Sequence, residues 1–175
     1  MKWNYQRLLL CIVCLSLCVL AADSMAVEQH CSNGAKAAVD MPISLSLGTV
    51  RTPEFPVKRK TYWIEIRAQW NLPTDELKCR MGFELSPGYP QCRLESLIEA
   101  DWTVWDGDRA VARGSDKTKS GDFEAGACYL GRFMGKFEGE SKHKYVVEIK
   151  FTKDGTPLNL TNPRLIVDLD NPYAF

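Results

Sequence analysis

The residue types and motifs of common catalytic and zinc-binding sites are scarce in this chain of 175 residues. It has two histidines, His30 and His143, and no serine lies in a G-x-S-x-G sequence. A serine or cysteine nucleophile with a histidine base therefore has little support. Outside the N-terminal apolar run no C-x-x-C spacing occurs either, which argues against a zinc site. We expect no catalytic residue, metal or cofactor, and we expect a protein that is not an enzyme.

Neither sign of charge dominates. Lysine and arginine together number 22, as do aspartate and glutamate, and the formal net charge is zero. The one basic run is Lys58-Arg59-Lys60, at the start of a predicted strand, where charged side chains are ordinarily solvated. Nucleic-acid binding requires clustered basic side chains, so the composition argues against a nucleic-acid partner.

The longest apolar run lies at the N-terminus and is too short to cross a membrane. Residues 1–7 carry two basic side chains, and residues 8–20 are uncharged and mostly apolar. This pattern is typical of a secretory signal peptide, whereas a spanning helix needs about 20 residues. Cleavage after Ala26 fits best, with Ala22 as the alternative. We therefore expect residues 1–26 to be a signal peptide and the mature protein to be periplasmic or secreted, without a transmembrane span.

Seven cysteines divide between the leader and the mature chain. Cys18 is the nearest candidate for lipid attachment, but Leu17 stands where a small residue is needed, so lipid anchoring is the weaker alternative. An even number of cysteines in an exported chain predicts two disulfides, with three possible connectivities. Cys79 and Cys92 are neighbours along the chain, and we favour a disulfide between them. The two remaining cysteines, Cys31 and Cys128, would then form the second disulfide.

Most of the mature chain alternates between apolar and polar residues with a period of two, as strands do. Turn residues recur every 8–12 positions, including a hairpin turn at 106–108. We predict an all-β fold, an antiparallel β-sandwich of the immunoglobulin-like kind with seven to eight strands, stapled by disulfides. It occupies residues 42–175 and follows an extended lead-in at 27–41. The predicted strands lie near 43–48, 61–68, 98–104, 110–112, 128–137, 145–151, 158–160 and 164–169.

One stretch, residues 71–82, has a helical pattern. Thr74 is a candidate N-cap, Leu77 and Met81 are four residues apart, and Gly82 suits the position after a helix end. We predict one or two helical turns here.

Several aromatic residues are left over once the predicted core faces are filled. On the strand at 61–68, Tyr62 and its apolar alternates face one way, and Trp63 faces the other among charged neighbours. Exposed aromatic side chains ringed by arginine have the composition of a protein-binding hot spot. The alternative is that a loop covers this second face. The candidate partner-binding residues are Trp63, Trp105 and Phe133, with Glu65, Arg67 and Arg132 around them and Tyr89 in the loop at 86–91.

Three segments carry a resemblance to a known group of proteins. They are YWIEIR at 62–67, GRFMGKF at 131–137 and KYVVEIKFTKDGTPLNLTNPRLIVD at 144–168. Together they resemble a small family of uncharacterised envelope proteins and lipoproteins of Gram-negative bacteria. The resemblance implies the fold and the exported location, and it carries no functional site with it.

Three classes of function follow from these observations. The leading hypothesis is a periplasmic or secreted module that binds another envelope or secreted protein, such as an inhibitor or immunity protein against a secreted hydrolase. The second is a structural or assembly subunit of the envelope, of adhesin or chaperone type, which predicts an open sheet edge. The third is a small-ligand carrier or an enzyme, which predicts a concave pocket with converging polar groups. The sequence does not specify an oligomeric state.

Overall fold

The computed structural model describes residues 37–83, 95–117 and 123–169, which belong to a compact unit beginning at Ala37. The predicted leader, the cysteines at 31 and 92, and Tyr89 lie outside the described residues. Within the described ranges, no helix is long and apolar enough to span a membrane.

Two antiparallel sheets make up the fold, as the sequence predicted at this coarse level. In the first sheet the strand order is β1 (Val39–Pro42), β10 (Arg164–Leu169), β4 (Thr61–Gln69), β8 (Tyr129–Glu138) and β7 (Phe123–Ala125). In the second it is β2 (Gly48–Arg51), β9 (Lys144–Phe151), β5 (Ala100–Asp106) and β6 (Arg109–Asp116), with the short β3 (Phe55–Pro56) also paired to β9.

The core lies between the apolar faces of the two sheets. On β4 the alternate residues Tyr62, Ile64 and Ile66 are buried, as predicted. On β9 every second residue from Tyr145 to Phe151 is buried in the same cluster. Strands with one buried face follow the period of two directly, so the long strands lie close to their predicted positions.

The predicted strand at 43–48 is wrong. These residues link β1 to β2, with Leu45 buried and Leu47 largely exposed. The backbone N–H of Leu45 donates to Asn159 Oδ1 (2.9 Å), and its carbonyl accepts from the N–H of Gly155 (2.8 Å). Leu45 is thus anchored to a loop, and strands form on either side of it. These short strands, with β3 and β7, bring the strands of the described ranges to ten, against the seven to eight predicted.

The predicted strand at 158–160 is a 3-10 helix, Thr156–Thr161. Asp154 Oδ1 accepts from the backbone N–H of Thr156 (3.0 Å), and a proline follows directly, two features that favour a tight helical turn over a strand. Leu158 is buried and Leu160 is exposed. Two leucines two residues apart therefore gave a misleading strand pattern.

The helix predicted in residues 71–82 is present as α1, Thr74–Met81. Leu77 and Met81 are fully buried, and Gly82 ends the helix in the left-handed conformation (φ +88°), both as predicted. Thr74 is not the N-cap. Pro73 occupies that position, and no side chain caps the first turn.

Candidate functional site

Two of the predicted aromatic residues meet on the outer face of the first sheet, the face turned away from the core. The ring centroids of Trp63 on β4 and Phe133 on β8 are 4.9 Å apart, with an interplanar angle of 47°. Both side chains are half-buried, and Lys136 Nζ lies 5.4 Å from the centroid of the Trp63 ring. Such an aromatic pair, partly open to solvent and accompanied by a cation, is a suitable surface for protein recognition.

A β-bulge brings this pair together. Ile64 pairs with Gly135, and the next β4 residue, Glu65, pairs with Phe133, so that Met134 is the extra residue on β8. A bulge of this kind shifts the alternation of side chains along one strand. Here it turns Met134 into the core and leaves Phe133 on the outer face next to Trp63.

Glu65 is buried on the same outer face, against the ordinary preference of a carboxylate for solvent. Its side chain is 3% exposed, its Oε2 atom accepts from Arg67 Nε (2.7 Å), and its Oε1 atom has no hydrogen-bond partner. Burial raises the pKa of Glu65 to about 7, and the nearby Glu124 and Asp168 add to the rise, whereas Arg67 opposes it. The group therefore changes charge near neutral pH.

A glycine on the neighbouring strand makes room for this carboxyl group. Gly131 pairs with Arg67, and a Cβ atom at Gly131 would overlap Glu65 Oε1. The Glu65 side chain thus lies across the backbone of β8, in space that any other residue at 131 would fill. The glycine at position 131 is required for packing.

Arg67 is held from three sides. Besides Glu65, its Nη2 atom donates to Glu124 Oε2 on β7 (3.1 Å), and its guanidinium carbon lies 4.2 Å from the centroid of the Tyr129 ring. The hydroxyl of Tyr129 donates to Glu124 Oε1 (2.6 Å). Burial, followed by this hydrogen bond to Glu124, raises the pKa of Tyr129 above its usual value. The outer-face cluster consists of Trp63, Phe133, Glu65, Arg67, Glu124 and Tyr129.

Two predicted members of the site lie elsewhere. Trp105 is on β5 of the second sheet, paired with Ala110 and Val146. Arg132 is fully buried inside the protein, where it forms a two-pronged ion pair with Asp116 (Nε–Oδ2 2.8 Å, Nη2–Oδ1 2.7 Å). Arg132 directly precedes Phe133, and neighbours along a strand point to opposite faces. Neither residue borders the outer-face cluster.

Glu124 and Tyr129 were not predicted as site residues from the sequence. Glu124 lies on a three-residue strand beside a polar stretch, and no periodicity marks it. Tyr129 was included in a predicted strand, but only the pairing of β8 with β4 and β7 shows that it faces Arg67. Tyr89, also predicted for the site, lies outside the described residues.

Among the described residues, no three histidine, cysteine, aspartate or glutamate side chains are grouped so that they would hold a metal ion. The outer-face cluster has groups of the kinds found at binding surfaces. It offers an aromatic surface, one oriented arginine and carboxyl oxygens.

Comparisons with known proteins bear on the fold. No protein-family model matches the chain, and no curated protein matches it. The crystal structure of a protein from Sulfurospirillum deleyianum is similar, with a TM-score of 0.53, 12% sequence identity, and coverage of 78% of this chain and 99% of that one. At this identity the similarity concerns the fold alone. Both chains thus share an arrangement of antiparallel sheets.

Proposed function

We propose that this protein is a binding module for another protein, acting in the periplasm or after secretion as an inhibitor, an immunity protein or a related blocking factor. The observation that carries the proposal is the outer-face cluster, in which the half-buried Trp63–Phe133 pair and the fixed guanidinium of Arg67 lie on the same face of the sheet. Tryptophan and arginine are the residue types most enriched at energetic centres of protein interfaces.

The preorganisation of Arg67 supports the proposal further. An arginine that orders only on binding loses rotamer freedom, which costs about 0.5–1.5 kcal/mol for each immobilised side chain. Arg67 is already held by Glu65, Glu124 and the ring of Tyr129, and its side chain is still 19% exposed. A partner carboxylate or carbonyl would therefore meet an oriented donor.

The finer structural predictions belong to the same proposal. We infer an immunoglobulin-like sandwich with two disulfides, Cys79–Cys92 and Cys31–Cys128, in a protein exported by its leader. The bonded state recorded for Cys79 and Cys128 supports the presence of disulfides, and mapping peptides from unreduced protein tests which cysteines pair. A disulfide that closes a loop of the length between Cys79 and Cys92 stabilises the folded state by roughly 3 kcal/mol in the chain-entropy description.

The test is affinity capture from envelope and secreted fractions, followed by measurement of Kd for each captured protein. The bait is the full chain with a C-terminal tag, together with the variants Trp63→Ala and Phe133→Ala. We expect each variant to weaken binding at least tenfold, because truncation of a hot-spot aromatic residue typically costs 2 kcal/mol or more.

Leu47→Ala is the matched control, because Leu47 is an exposed apolar side chain outside the outer-face cluster. It should leave Kd unchanged. Equal binding by wild type and both aromatic variants, with circular dichroism showing that all are folded, would contradict the assignment of the binding surface.

A further inference from the structure

The two sheets leave an open seam along one side of the molecule. Within the described ranges, β6 pairs with β5 alone, and the pairing of β7 to β8 ends at Arg132. The second half of β8, Phe133–Glu138, is therefore paired with β4 only. Among the residues that the structure describes, no strand pairs with these two edges, so each presents main-chain N–H and C=O groups.

Trp102 closes one end of this seam. Its indole edge lies between the backbones of Gly114 on β6 and Gly135 on β8, and Cβ atoms built there would stand 2.8 and 2.9 Å from Trp102 Nε1. Trp102 is 7% exposed, and its Nε1 donor has no hydrogen-bond partner. A buried indole N–H without an acceptor is costly, so this packing is maintained against a free-energy penalty.

Beyond Trp102 the edge of β6 and the edge of β8 separate and enclose a groove of about 660 Å³. The buried rings of Phe137 and Tyr145, whose centroids are 5.5 Å apart, give it an aromatic floor. Its charged side chains are two cations and two anions, which sum to zero. The lining comprises Arg109, Ala110, Val111, Ala112, Lys136, Phe137, Glu138, Glu140 and Tyr145.

The mouth of the groove is held by polar contacts. His143 Nδ1 lies 2.7 Å from Asp106 Oδ2, and Asp106 also pairs with Arg109 (3.3 Å). His143 Nε2 lies 3.9 Å from Glu140. These contacts tie the β5–β6 turn to the segment between β8 and β9, so the groove is formed before any partner arrives.

We propose that this groove receives an extended, uncharged segment of a partner protein, which adds to the edge of β6 as a further strand. Only a peptide backbone offers alternating donors and acceptors at the spacing of a strand edge. Val111 is the extra residue of a bulge within residues 109–112, so this segment spans at most about 13 Å at roughly 3.3 Å per residue and fits about four partner residues. Its inward side chains would rest on the aromatic floor, and the balanced lining charges select against a net charge.

The test uses a display library of random seven-residue peptides, panned against the full chain and then against the variant Ala110→Pro. Proline removes an N–H and is tolerated on edge strands, so it blocks strand addition without entering the core. We expect selected peptides to be uncharged with alternating apolar residues, to lose at least tenfold in affinity for the variant, and to slow amide exchange in residues 109–113.

Thr49→Pro on β2, the other outer strand of the second sheet, is the matched control and should bind the peptides like wild type. Ala112→Arg, which fills the groove without removing an N–H, should weaken binding as Ala110→Pro does and covers the case in which the proline variant is unfolded. The proposal would be overturned if no peptide were selected, or if peptides bound Ala112→Arg and wild type with equal affinity. It would also be overturned if the peptides slowed amide exchange in β2 instead of β6, or if self-association slowed exchange in β6 without peptide. Trp63→Ala should leave peptide binding unchanged, which separates this groove from the outer-face cluster.

Discussion

On the outer face of the first sheet, one carboxyl group is kept from solvent by its neighbours. Glu65 lies over Gly131, bonds Arg67 through one oxygen and leaves the other without a partner. Its pKa of about 7 means that the folded protein binds a proton more tightly at this position than the unfolded chain does. The free energy of unfolding therefore contains a contribution that is fully present below about pH 4.5 and is lost as the pH rises to 7.

We predict that Glu65→Gln removes this loss. Relative to wild type, the variant should gain stability between pH 4.5 and pH 8, by an amount on the order of 3 kcal/mol for a shift from 4.5 to about 7. Urea unfolding of both proteins across this range measures the difference. Glu138→Gln, at an exposed position of the same face, should run parallel to wild type, and a parallel profile for Glu65→Gln would contradict the raised pKa.

At the scale of elements, Arg132 joins four parts of the fold. From β8 it reaches Asp116 at the end of β6, the carbonyl of Met81 at the C-terminus of α1, and Ser96 Oγ (3.1 Å) in the segment before β5. Gly82 leaves the space for it, since a Cβ atom there would overlap the guanidinium. A cation at a helix C-terminus is also favoured by the helix dipole.

We predict a large coupling between Arg132 and Asp116. Asp116→Ala alone should cost about 3–5 kcal/mol, because it removes the carboxylate that forms a two-pronged ion pair with a fully buried guanidinium. Arg132→Met added to it should recover much of that loss, since a buried pair exchanged for apolar groups is often nearly neutral. Urea unfolding of the double-mutant cycle gives the coupling. The surface pair Arg164–Asp40 should couple by less than about 1 kcal/mol, and additive effects at Arg132 would contradict the prediction.

The elements differ in how far the sequence predicts them. Strands that bury one face over many residues, such as β4 and β9, were found because burial imposes the period of two. The segments at 43–48 and 158–160 have the same local pattern, but a hydrogen bond from Leu45 to Asn159 fixes both in other conformations. Such a contact spans 114 positions and leaves no local sign.

The outer-face cluster, too, was predictable from the sequence only in part. That Trp63 faces away from the core follows from alternation on β4 alone. That Phe133 joins it depends on the pairing of β4 with β8 and on the bulge at Met134, neither of which is encoded in a local pattern. Arg132 and Trp105 were misplaced because composition shows which residues suit a site but does not show which strands are neighbours.

For the molecule as a whole, one ring and two glycines bring the two sheets into contact at the seam. Trp102 extends from the second sheet to Gly135 in the first, and Gly114 lies on its other side. The indole fills the space that side chains at 114 and 135 would take. The seam therefore closes at this point and opens beyond it, toward the groove between β6 and β8.

We predict that Gly135→Ala destabilises the protein by about 1–3 kcal/mol, because the new methyl group overlaps the Trp102 ring and a packed interior resists added volume. Trp102→Phe should also destabilise it through the space left behind. The two together should cost less than the sum of the single changes, since the smaller ring accommodates the methyl group and the unpartnered indole N–H is removed. Thermal and urea unfolding of the four proteins measure this coupling. Strict additivity would mean that Gly135 and Trp102 do not share one space, and the closure of the seam would then need another cause.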